Sequence, residues 1–68
     1  MSSLTERFGS KVKKIRKQRN MSQFALSQKS GLDLTTINEI ENGNREPMLK
    51  TVWRIANALG VEMSEMFK

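Results

Sequence analysis

The stretch 22-SQFALSQKSGLDLTTINEIE-41 decides how this chain folds. Ser22 is a residue type that caps helix N-termini, because its hydroxyl can accept a backbone N–H of the first turn. Leu26 and the small Ser27 fall where a helix running on to Ser30 turns inward, and Gly31 supplies the left-handed residue that closes it. Asp33 then stands as the N-cap of a second helix, whose buried pair is Ile37 and Ile40. The outward positions of that second helix are Leu34, Thr35, Thr36, Asn38 and Glu39. Nothing here or elsewhere alternates with period two over a useful length, so strands have no support.

Outward from this pair, the same punctuation repeats. Upstream, Ser3 and Glu6 have the spacing of a capping box, and Leu4, Phe8, Val12 and Ile15 form one apolar stripe of a helix reaching about Arg19, which Asn20 can end. Downstream, Pro47 sits where a fourth helix can begin. Leu49, Val52, Ile55, Ala56 and Leu59 give that helix an inward face, and Gly60 ends it. Met63 to Phe67 adds a last turn or two. The expectation is an all-α, compact five-helix bundle, with residues 1–68 as a single domain.

Composition narrows the chemistry. A chain of 68 residues is one small domain, of a size that buries only about 60% of its unfolded surface. Cys and His are both absent, which removes thiol nucleophiles, disulfides, Cys/His zinc sites and imidazole acid–base catalysis together. No phosphate-binding loop is present either, so an enzyme, a cofactor or a bound metal is not expected. No apolar run approaches the ~18 residues of a membrane span, and a cytoplasmic protein without membrane contact is the natural expectation. The net charge is +5, and it is unevenly placed. In residues 1–20, Arg7, Lys11, Lys13, Lys14, Arg16, Lys17 and Arg19 face one acid, Glu6, whereas acids slightly outnumber bases in the rest. Such an excess points to a polyanionic partner, and equally fits a solvated helix face.

Two helices separated by Ser30-Gly31-Leu32 have the spacing of a helix-turn-helix. Around them stand Met21-Ser22-Gln23, Leu26-Ser27, Gly31-Leu32, Ile37, Ile40-Glu41-Asn42-Gly43-Asn44-Arg45, Pro47 and Ile55-Ala56-Asn57-Ala58-Leu59-Gly60-Val61. This ordered set, from about Phe8 to Phe67, resembles the Cro/cI-type (XRE) family of DNA-binding domains. The resemblance implies that the third helix enters the major groove of double-stranded DNA, with Leu34, Thr35, Thr36 and Glu39 at groove-facing positions. Leucine offers only apolar contact, as with a thymine methyl, and a glutamate can accept from cytosine N4. The resemblance also implies phosphate contacts from Gln23, with Ser22 beside it, and from Asn42, Asn44 and Arg45 after the third helix. Lys50, Lys17 and Arg19 are further candidates. Asp33 to Glu41 holds three acids and no base, so affinity has to come from helix dipoles and from cations outside that helix.

Two structural expectations accompany this reading. Arg16 borders the stripe of the first helix and Glu41 that of the third, and in the family a matching arginine and glutamate meet there as an ion pair. Val61, Met63, Met66 and Phe67, with Trp53 nearby, offer more apolar surface than a short last helix buries alone. They either cap the core or form a homodimer interface, as in related small regulators. The functional expectation is a repressor or controller that binds a palindromic operator as a homodimer, without a small-molecule effector. The alternative is a protein–protein adaptor or antitoxin-like partner built on the same fold, which Phe24, Leu34 and the methionines would favour.

Overall fold

Ser3 and Glu6 close a reciprocal capping box, the Glu6 N–H donating to Ser3 Oγ at 3.1 Å and the Ser3 N–H to Glu6 Oε1 at 2.8 Å. It starts α1, Leu4–Gln18, in a computed structural model that describes residues 3–68. The chain leaves α1 through Asn20, which takes a left-handed φ of 56°. Then follow α2, Gln23–Ser30, and α3, Leu34–Glu41, each on the cap read for it. Ser22 Oγ accepts the Ala25 N–H at 2.9 Å, whereas Asp33 occupies the N-cap of α3 without a side-chain bond. Next comes α4, Leu49–Leu59, closed by Gly60. The expected fifth helix is a 3₁₀ helix, Met63–Phe67, so the described residues hold four α-helices and one 3₁₀ turn. Five residues from an uncapped Glu62 give room for the tighter i→i+3 bonds and little more.

One core joins these elements. Phe8, Val12 and Ile15 of α1 meet Leu26 of α2, Ile37 and Ile40 of α3, and Val52, Ile55, Ala56, Ala58 and Leu59 of α4. Met66 closes the core from the 3₁₀ helix. At 1% exposure it caps the core, the first of the two alternatives read for it, and leaves no surface for a partner chain. Burying such a side chain is worth about 1.5–3 kcal/mol, so a methionine that reaches its own core goes there. Leu4 and Leu49 also differ from expectation, being 64% and 76% exposed. Each is the first residue of its helix and overhangs the end of the core.

Gly9 fixes how α1 lies on α3. A Cβ at this position would run into the carbonyl oxygen of Ile40 and crowd that of Glu41. The two helices therefore touch backbone to backbone, and only glycine permits it. This contact aims the outer face of α3.

Candidate nucleic-acid interface

The turn between α2 and α3 is held by two serines. Ser27, buried where the helices cross, donates its hydroxyl to the Leu32 carbonyl. Ser30 Oγ accepts the Leu32 N–H at 3.3 Å. Sequence reasoning gave Ser27 a packing role only; its hydroxyl also ties the turn. The result is a rigid corner from which α3 projects with Ile37 and Ile40 inward and Leu34, Thr35 and Asn38 exposed. Thr36 and Glu39 are half-buried at the margins of that face.

Behind it runs a connected set of polar side chains. Arg16 of α1 donates from Nε to Glu41 Oε2 at 2.7 Å and from Nη2 to Oε1 at 3.0 Å, a two-pronged pair closed off from solvent. Its Nη1 donates to the Met21 carbonyl at 2.8 Å. Gln23 Nε2 also donates to Glu41 Oε1, at 3.0 Å. Gln23 Oε1 in turn accepts from Asn38 Nδ2 at 3.4 Å, and Asn38 Oδ1 accepts from Asn42 Nδ2 at 3.2 Å. Gln23, Asn38 and Asn42 thus form one rank leading from the ion pair to the exposed surface. The Glu41 hydrogen bond holds the Arg16 guanidinium pKa above its ordinary value, outweighing burial. Among the described residues no buried side-chain polar atom lacks a partner.

The loop after α3 is equally defined. Gly43 takes a left-handed φ of 75°, its N–H donates to the Ile40 carbonyl at 3.1 Å, and the Asn44 N–H reaches back to that of Glu39 at 2.9 Å. This is the bonding of a glycine-terminated helix end. A Cβ on Gly43 would lie 2.9 Å from Cγ of Glu6, so a larger residue there would have to push that side chain aside. The loop returns Arg45 over α3, where its Nη1 lies 2.6 Å from Glu39 Oε1. Both acids of α3 are therefore met by cations from other elements, Glu41 by Arg16 and Glu39 by Arg45. On the outer side of α3 the Glu39 charge is thus balanced within the fold.

The remaining candidates divide. Ser22, Asn42, Asn44 and Lys50 have exposed side chains, Asn42 and Asn44 directly after α3 and Lys50 in the first turn of α4. Arg19 is engaged elsewhere, donating from Nε to the Leu59 carbonyl at 2.8 Å and so capping the end of α4. Trp53, Val61 and Met63 line one surface hollow at the C-terminal part of α4. Phe67 lies apart from them, stacked on Phe8 with ring centres 5.6 Å apart. Phe24 is exposed on α2. Among the described residues no cluster of acids stands together as a metal site, and no helix is long and apolar enough to cross a membrane.

Four α-helices with a tight serine-bonded turn between the second and third define a helix-turn-helix protein, and this chain belongs to that family, whose sequence pattern it matches over residues 12–66. It is similar to the control protein C.MunI of a Mycoplasma species, 38% identical over 98% of this chain and 92% of that one. It is likewise similar to the control protein C.BamHI of Bacillus amyloliquefaciens, 40% identical over 87% of this chain and 74% of that relative. Among solved structures, the restriction–modification controller protein C.AhdI from Aeromonas hydrophila superposes with a TM-score of 0.91 at 32% identity, covering 93% of this chain and 96% of the other.

Proposed function

We propose that the protein is a transcription regulator of the controller or repressor type, which binds a palindromic operator in duplex DNA as a homodimer with α3 in the major groove. The observation that carries this reading is the outer face of α3, projected from the serine-bonded turn with its outward acid, Glu39, met by Arg45. The controller names of its relatives agree with it. Leu34, Thr35, Thr36, Asn38 and Glu39 would meet base edges. Ser22, Gln23, Asn42, Asn44 and Lys50 would meet phosphates, which fix register without carrying sequence. Arg45 belongs to both neighbourhoods, since its guanidinium rests on Glu39. A dimer is required because one recognition helix spans too few base pairs to specify a site. The work is binding rather than catalysis, carried out beside DNA in the cytoplasm.

Selection of bound sequences from random duplex DNA tests this directly. An enriched inverted repeat is the expected result, with affinity falling as salt rises by a slope of about −0.9 in log K for each neutralised phosphate. Thr35→Ala should relax preference at one position, whereas Lys50→Ala should weaken all sequences alike. Absence of any enriched sequence would overturn the proposal in favour of an adaptor that grips protein.

A further inference from the structure

The cations of α1 divide by face. Gly9 marks the side of that helix that lies on α3, and at about 100° per residue Arg7, Lys11 and Lys14 stand roughly 140–160° around from it. The proposed DNA contacts draw on none of the three. Among the described residues none of them makes an ion pair. They rim a hollow of about 400 Å³ whose apolar wall is Leu4 and Phe67, 64% and 47% exposed. Lys68 also borders it, but its ammonium is held by Glu65 at 2.9 Å. Leu4 and Phe67 continue into a second hollow, of about 160 Å³, which ends at Pro47 and Glu46. The two hollows make one groove, with the Phe67 ring fixed between them by its stacking on Phe8.

We infer that this groove docks an acidic segment of another protein, one that carries a bulky apolar side chain beside its carboxylates, and that it is separate from the DNA-binding face. Exposed apolar surface rimmed by polar groups marks a protein-binding site, and the rim here fixes the sign of the partner. Its carboxylates lie along Arg7, Lys11 and Lys14, and its apolar side chain lies against Leu4 and Phe67. Glu46 repels acids at the far end, so the segment has one direction in the groove. A second copy of this chain does not supply such a segment. Glu39, Glu41 and Glu65 are already paired, and no cluster of acids stands together among the described residues. Duplex DNA matches the cations but not the apolar wall, because phosphates are held by charge and polar groups. Docking on this side of α1 uses none of the residues assigned to DNA, so the inference stands independently of that assignment.

The test is selection of random peptides displayed on phage against the wild-type chain, followed by affinity measurements on the selected peptide with the wild type, the double variant Lys11→Gln with Lys14→Gln, and Leu4→Ser. Peptides with acids flanking a bulky apolar residue should be enriched. Exchanging the peptide's acids for amides, or making the double lysine change, should weaken binding about tenfold, the scale of two or three exposed ion pairs. Leu4→Ser should weaken it about fivefold through lost apolar contact, with urea unfolding little changed because Leu4 overhangs the core. The double variant should keep operator affinity within about twofold at physiological salt, where charges off the interface are screened, and operator-bound protein should still take the peptide. Enrichment of no acidic peptide, equal binding of the amide peptide, or binding untouched by the variants overturns the inference. Displacement of the peptide by duplex or single-stranded DNA, or loss of operator binding in the double variant, makes the groove part of a nucleic-acid surface and overturns it too. Failure to select any operator strikes the proposed function instead, since the peptide measurements are made without DNA and still decide this one.

Discussion

The Glu41 carboxylate accepts three hydrogen bonds, two from Arg16 and one from Gln23, and so joins α1, α2 and α3 at one point. Because the folded state raises the Arg16 pKa, the stability this contributes is complete below arginine's unfolded pKa. It is lost only as pH rises through the folded value, so the pair stays made through neutral pH. Arg16→Met should cost roughly 3–5 kcal/mol in urea unfolding by stranding a buried carboxylate, well beyond the cost of Lys13→Met or Lys14→Met. Adding Glu41→Leu should restore much of that loss. The double variant should still bind DNA less tightly, because Gln23 no longer has its carboxylate partner. The two residues were legible from their places beside the apolar stripes and from the family's pattern. The rank Gln23–Asn38–Asn42 was not, since each of those side chains reads equally well as solvated. Gly9 was illegible for a plainer reason: the atoms that demand it belong to Ile40 and Glu41.

At the scale of elements, caps and glycines gave good helix boundaries, because capping chemistry is local. Periodicity was less complete. It tells which way around a helix a residue points and not how far along the axis the core extends, so Leu4 and Leu49 were read as inward although both overhang it. The same local chemistry marks an improvable site. Met48 holds N-cap backbone angles of −73° and 159° at the start of α4 but offers no acceptor, and it is 72% exposed. Met48→Ser should raise the unfolding free energy by about 0.5–1 kcal/mol, the usual scale of a restored cap. Denaturant melts read this change.

For the whole molecule, the apolar residues set aside for a partner fall into three places. Met66 is in the core, Phe67 lies against α1, and Trp53, Val61 and Met63 share one hollow. The last group, with Trp53 exposed and Val61 and Met63 half-buried beside it, is the surface we propose for a second copy, and a two-fold dimer there would have to set recognition helices about 34 Å apart. Met63→Glu should give a monomer by sedimentation with weakened operator binding, at some cost in stability because the side chain is half-buried against the core. Met66→Glu should instead unfold the chain, since it buries a charge without a partner. If Met63→Glu remained dimeric, the interface would lie elsewhere. The contact at Gly9 bears on binding from the other direction. Since α1 and α3 meet through main chain, no change of rotamer can re-aim the recognition helix, and tilting it would mean lifting α1 from the core. The protein thus offers DNA an angle settled at folding, and a duplex whose groove does not match it must supply the bending itself, at an energy set by its own base steps.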